Sequence, residues 1–216
     1  MDAQFWDGMY GSREQVFSGN PNGVLVAEAG ELAPGQALDV GCGEGADALW
    51  LARRGWQVTA VDISRTALQR AAAAATDCAG RVAWTCADLS VAPPPAGAFD
   101  LVSVQYFPLR RRPDHVALRG LLSAVAPGGT LLVAGHDPAD LSPHDDHGFD
   151  PGDYYHPGDV AELLDHDWTV LVNETRPRTA PPPEGTQHTN DTVLRAVRGH
   201  RPAAGNSAGP ADDWMG

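Results

Sequence analysis

Residues 39–46, Asp39-Val40-Gly41-Cys42-Gly43-Glu44-Gly45-Ala46, decide the fold. The apolar run Ala37 to Val40 leads into them, and Ala48, Leu49 and Ala52 follow at helical spacing. Glycine suits a turn that needs positive φ, and backbone that must approach a ligand with no Cβ in the way. Strand, glycine turn and helix, in that order, make the ligand-binding corner of a parallel α/β sheet. The stretch reads two ways. Gly41, Gly43 and Ala46 satisfy the dinucleotide pattern G-x-G-x-x-G/A, and Asp62 lies nineteen residues after Gly43, where a ribose-binding acid would stand. Against this, Glu44 sits in the turn and Asp39 just ahead of it, where negative charge opposes a pyrophosphate on the helix N-terminus.

Two carboxylates at that turn suit a ligand with positive groups and no phosphate. S-adenosylmethionine, with a sulfonium and an ammonium, is such a ligand. The alternative, Glu44 pointing to solvent at a helix start, stays open. Outward from the loop the rhythm repeats. Gln57 to Ile63 is a β-branched run ending at Asp62, and Ser64 caps the alanine-rich helix 65–75. Val82 to Cys86, Phe99 to Val104 and Thr130 to Ala134 read as strands, with a helix from about 113 to 125 before Pro127-Gly128-Gly129. Strands alternating with helices predict a parallel sheet covered on both faces. Trp168 to Asn173 and Thr192 to Val197, joined through the proline-rich 180–185, predict an antiparallel end to that sheet.

Beyond position 135 the spacing is looser. Residues 136–156, rich in Asp, His, Pro and Gly, read as a lid-like loop, and 199–216 as a disordered tail after a single domain, 1–198. Residues 1–33 carry Phe5, Trp6, Tyr10 and Phe17 and then a helical stretch, Val24 to Leu32.

The succession of motifs resembles the class I S-adenosylmethionine-dependent methyltransferases from about Ala37 to Ala134. Residues 39–45 are similar to the family's first motif, Val61-Asp62-Ile63-Ser64 to its second-strand ending, Cys86-Ala87-Asp88-Leu89 to its third, and 99–105 to its fourth-strand motif. The resemblance implies a Rossmann-like three-layer α/β sandwich with a seven-stranded, mostly parallel sheet of order 3-2-1-4-5-7-6. It also implies cofactor contacts from Asp39, Gly41, Cys42, Gly43 and Glu44, ribose binding by Asp62 beside Ile63, adenine contacts from Asp88 and Leu89, and Gln105 facing the methyl group. Cys42 reads as a packed residue, since no cation stands near to activate it. Asp100 reads as structural. The N-terminal stretch resembles the helical cap of tellurite-resistance and thiopurine S-methyltransferase-like enzymes, which would bring Trp6, Tyr10 and Arg13 over cofactor and acceptor; simple packing of a terminal helix explains the aromatics as well.

Composition limits the acceptor. The net charge is −13, and all 15 Lys+Arg residues are arginine. No Schiff-base lysine or Tyr-x-x-x-Lys pair exists, which counts against an NAD(P)-dependent oxidoreductase, and the acidity counts against nucleic acid. The absence of an Asn-Pro-Pro-Tyr-type motif after the fourth strand points to a small molecule. Cys42, Cys78 and Cys86 form no C-x-x-C pair, no run is long enough to span a membrane, and the first ten residues lack a signal-peptide pattern. The expectation is a cytoplasmic enzyme, monomer or weak homodimer, with no membrane partner. Its best acceptor is a thiol or other chalcogen, otherwise oxygen or nitrogen. His136, just past the fifth strand, is the candidate base or polar substrate contact, with Gln105 and Tyr10 beside it. His144, Asp145, Asp146, His147, Asp150, Asp153 and His156 read as a polar loop and no metal is expected; Arg110-Arg111-Arg112 reads as a solvated helix entry. A non-catalytic cofactor-binding protein is the third reading.

Overall fold

Short β-branched runs separated by alanine- and leucine-rich segments build the sheet and its two helical layers in this computed structural model, which describes residues 1–140, 150–179 and 188–200. The elements are α1 (Ala3–Gly11), α2 (Gly23–Ala29), β1 (Gln36–Val40), α3 (Ala46–Arg53), β2 (Gln57–Asp62), α4 (Arg65–Ala74), β3 (Val82–Cys86), β4 (Phe99–Gln105), α5 (Val116–Ala124), β5 (Val125–His136), α6 (Pro157–Glu162), β6 (Trp168–Pro177) and β7 (Asn190–Arg198). Seven strands form one sheet in the order β3-β2-β1-β4-β5-β7-β6, the order that the resemblance implies. β7 runs antiparallel to both β5 and β6, and the other pairings are parallel.

The central strands are buried on both faces, which is why they read as near-continuous apolar runs. One apolar layer, with Leu25, Leu51 and Trp56, lies under α2 and α3; the other, with Leu38, Val102, Leu121 and Leu131, lies under α5. Asp100 is structural: its carboxylate accepts the Gln36 N–H at 2.8 Å and ties β4 to the start of β1. Ser64 accepts the Ala67 N–H and caps α4.

The fifth strand differs from the sequence expectation. It starts earlier, at Val125, which pairs with Phe99; Pro127-Gly128-Gly129 then makes an irregularity inside the strand rather than a turn before it. The three arginines are exposed, as a solvated entry implies. In addition Arg110 pairs with Asp153 and Arg111 with Asp159, while Arg111 also covers the Tyr155 ring, so these two fasten residues 153–159 to the segment that follows β4. Residues 141–149, 180–187 and 201–216, including His144, Asp145, Asp146, His147, the connector 180–185 and most of the tail, lie outside the described residues.

Candidate active site and cofactor pocket

The carboxyl ends of β1, β2 and β4 and the start of α3 enclose the glycine turn. Gly41, Gly43 and Gly45 all have positive φ, at 67°, 52° and 85°. A Cβ at Gly41 would come within 2.4 Å of the Phe107 ring, and one at Gly43 within 2.7 Å of the Tyr10 hydroxyl. The loop is therefore glycine by conformation and by space together. Beside it opens a cavity of about 220 Å³ whose lining includes Gly41, Asp62, Ile63, Asp88, Leu89 and Trp6. Asp88 is exposed and its Oδ1 accepts the Ser90 N–H; Leu89 is buried.

Three aspartates surround the turn at depth. Asp39, Asp47 and Asp62 are 2%, 5% and 8% exposed, and no ion pair reaches any of them among the described residues. Asp47 accepts from the backbone and side-chain amides of Asn22. Asp62 accepts from Gly43 N–H and Ser64 N–H, both at 2.8 Å, so it shapes the glycine turn as well as lining the cavity. Asp39 Oδ2 is buried with no partner. Burial pushes all three carboxyls up, and at Asp39 the neighbouring charges of Asp47 and Asp62 push further. Burial likewise pushes the Cys42 thiol well up, the environment of a packed residue and not of a nucleophile.

The reasoning that assigned the negative charge to Glu44 is corrected. Its carboxylate accepts the N–H groups of Val16 and Phe17 at 3.1 and 3.0 Å and pairs with Arg70 at 2.8 Å. Asp47, which the sequence reading missed, stands where Glu44 was expected. The only local signal was an acid in the first turn of α3. The N-terminal residues are held against this corner in several places: Asp7 accepts from Ser64 and Thr66, and Tyr10 is buried beside Gly43. Arg13 is exposed, and its backbone carbonyl accepts from Arg70.

A second group of side chains gathers where β4, β5 and β7 end together. Gln105 is buried, donates to Ser103 and leaves Oε1 without a partner. Tyr106, at φ 51°, turns its ring to 4.7 Å from the His136 ring, and His136 stacks on His188 at 3.9 Å. Arg178 donates to Asp191 at 2.8 Å and to His136 Nδ1 at 3.2 Å and lies over the Tyr106 ring. A guanidinium has no lone pair to offer, so His136 Nδ1 is the acceptor and the neutral ring carries its proton on Nε2. His136 as a general base is therefore corrected: its one lone pair is taken. Burial first, then His188 and Arg178, bring its pKa down to about 4. His188, Arg178 and Asp191 were not foreseen; no local motif marks them. Asp150, Asp153 and His156 do structural work: Asp150 caps a turn, Asp153 binds Arg110, and the His156 N–H donates to Asp159. Among the described residues only Asp165, His166 and Asp167, all exposed, come together at metal-ligand spacing.

Residues 37–129 match the family described as "Methyltransferase domain". Over this stretch the chain is similar to methyltransferase domains, in line with the motifs of residues 39–105. An uncharacterized methyltransferase of Mycobacterium tuberculosis is 43% identical to it over 97 residues, which cover 44% of this chain and 48% of that one. A ubiquinone biosynthesis O-methyltransferase of Xanthomonas campestris is 32% identical over 136 residues, 61% of this chain and 55% of its own. The chain thus spans about half the length of these curated relatives. Among solved structures, one determined in a study of the conversion of a disulfide bond into a thioacetal group during echinomycin biosynthesis is 22% identical. It has a TM-score of 0.70 over 91% of this chain and 92% of that one. A 1,6-didemethyltoxoflavin-N1-methyltransferase of Burkholderia thailandensis gives a TM-score of 0.59 at 21% identity, covering 82% and 75%. Both likenesses concern the fold.

The residues around the glycine turn fit S-adenosylmethionine. An unpartnered buried carboxylate oxygen on Asp39, three aspartates with no cation among them, and a glycine turn whose Cβ positions are filled from outside all suit a cationic ligand. No helix among the described residues is long and apolar enough to cross a membrane.

Proposed function

We propose that the chain transfers the methyl group of S-adenosylmethionine to a small-molecule acceptor. The observation that carries this reading is the group Asp39, Asp47 and Asp62, buried around the glycine turn with no cation of the protein's own. Uncompensated buried carboxylates cost several kcal/mol each, of order, unless a partner arrives. An ammonium and a sulfonium supply it, whereas a pyrophosphate would add to the repulsion. In this reading Asp39 and Asp47 receive the amino group's field, Asp62 holds the ribose with Ile63 beside it, and Asp88 and Leu89 border the adenine. Gly41, Cys42 and Gly43 give backbone contact. Trp6 and Tyr10 cover the site with Arg13 at its rim, and Gln105 and His136 face the acceptor. Bound there, the cofactor supplies an already activated methyl group. The protein's part is to align it with the acceptor and exclude water.

Cofactor identity is tested by calorimetric titration with S-adenosylmethionine, S-adenosylhomocysteine and NAD⁺. Binding of the first two alone supports the reading; binding of NAD⁺ alone overturns it. The acceptor we favour is a thiol. Among the described residues the nearby Asp191 is committed to Arg178, and a thiolate needs no strong base. The net charge of −13 supports a partner that is neither nucleic acid nor an anionic membrane, and we read the protein as cytoplasmic, a monomer or weak homodimer.

A further inference from the structure

We infer that Arg112 recognises an acidic group on the methyl acceptor, so that the substrate of this site is a small molecule bearing a carboxylate. This rests on the proposed methyl transfer. The segment that follows β4 starts at the glycine turn, where Phe107 lies against Gly41, and runs along the cavity through Leu109 and Arg110 to Arg112. Asp62, Asp88 and Trp6 line the same cavity, so Arg112 shares one space with the residues read as holding ribose and adenine. The three arginines of the segment differ in what holds them. Arg110 pairs with Asp153 and Arg111 with Asp159. Arg112 is exposed and makes no ion pair among the described residues. The acids of the cavity wall bind backbone N–H groups instead: Asp62 those of Gly43 and Ser64, Asp88 that of Ser90, and Asp2 that of Phe5.

The cofactor has no anion for that guanidinium. Adenine and ribose are uncharged, and the one carboxylate of S-adenosylmethionine goes with its ammonium to the side of Asp39 and Asp47, which are not part of this cavity wall. The negative group that answers Arg112 therefore comes from the second ligand, the acceptor. The main chain from which Arg112 reaches is fixed in advance. Its neighbour's backbone N–H, on Arg111, donates to Asp153 O at 2.7 Å, Arg111 Nε donates to Tyr154 O at 3.0 Å, and the Arg112 carbonyl accepts the His115 N–H at 3.0 Å. A guanidinium placed this way loses less freedom on binding, and its planar fork matches a carboxylate through two parallel N–H···O bonds. A monoanion fits better than a phosphate dianion, because one guanidinium balances one charge and Asp2, Asp62 and Asp88 on the same wall repel a second. Phe107, Pro108 and Leu109, between the turn and the arginine, suit an apolar or aromatic body that joins the carboxylate to the reacting atom.

The test uses the full chain saturated with S-adenosylhomocysteine and four probes, 3- and 4-(mercaptomethyl)benzoate and the two corresponding amides. The amides keep the thiol and the shape and remove the charge. Calorimetry is expected to show at least one acid binding about 10-fold or more tightly than its amide, and Arg112→Gln to abolish that preference without changing the melting temperature. Arg112→Lys, which keeps the charge but not the fork, should restore part of it. Arg119→Gln is the control: it removes an exposed arginine on α5 that is not part of the cavity wall, and should leave the preference intact. Acids and amides that bind equally, four probes that all fail to bind, or a preference that survives Arg112→Gln would each overturn the role while leaving the cofactor reading in place. Failure of S-adenosylhomocysteine itself to bind would overturn the cofactor reading on which the role rests.

Discussion

Glu44 Oε1 lies 2.8 Å from Arg70 Nη1, while the other oxygen of the same carboxylate accepts the backbone N–H groups of Val16 and Phe17. One side chain of the glycine turn therefore ties α4 to the residues that follow α1. Glu44→Ala leaves two backbone donors without an acceptor and Arg70 with only the Arg13 carbonyl, which is expected to cost about 1–3 kcal/mol of stability. Amide hydrogen exchange at Val16 and Phe17 should quicken in the variant. Unchanged exchange there would show that the tie holds nothing.

Asp62 both shapes the turn and faces the cavity, so its loss should be felt twice. Asp62→Ala is expected to weaken S-adenosylmethionine binding about 10- to 150-fold, the value of charge-assisted hydrogen bonds of roughly 1.5–3 kcal/mol. It should also lower the melting temperature of the unliganded protein, because Gly43 and Ser64 lose their acceptor. Calorimetry and melting curves separate the two effects, and unaltered affinity would remove Asp62 from the site.

Asp39 gives a pH signature of its own. Its carboxyl is pushed well above the usual range by burial and by Asp47 and Asp62, so the folded state holds that proton more tightly than the unfolded state does. Stability from this group is present below the ordinary carboxylate range and falls as pH rises through the raised value. Asp39→Asn should therefore make the unliganded protein more stable at pH 7 than the unmodified chain, with the difference closing toward pH 4. The same variant should gain less from added S-adenosylmethionine. Melting curves across that range, with and without cofactor, check both; a variant less stable at pH 7 would contradict the account.

At Gly41 two penalties can be measured apart. Alanine there must adopt φ 67° and place its Cβ within 2.4 Å of Phe107. The left-handed backbone costs about 1–2 kcal/mol, and the collision adds to it. Gly41→Ala should thus lower both stability and cofactor affinity, and Phe107→Ala in the same chain should recover only the part due to collision. Full recovery would mean that the backbone conformation carries no cost.

The sheet and the glycine turn were legible because their signals are local. A strand, a glycine turn and an acid at the next strand's end lie within 24 residues, 39–62, and each has a short-range physical reason. What escaped was direction and distance. Nothing in residues 43–45 reveals that the Glu44 carboxylate turns toward Val16, 28 positions earlier, while Asp47 faces inward. The ends of β5 and β7 were harder. His136 drew notice by its place at the end of β5, but its surroundings are set by Arg178, 42 positions on, and by a histidine brought alongside only when β7 folds back.

The antiparallel return of β7 makes the surroundings of His136 a matter of register. His136 and Asp191 are cross-strand partners, and Arg176 stands opposite Asp191 on the other side, so the pairing of the last strands sets which β7 side chain lies beside His136. A slip of one residue turns each β7 side chain to the opposite face. An insertion or deletion in the final hairpin would therefore rebuild this corner while leaving the glycine turn, more than a hundred residues earlier in the chain, untouched.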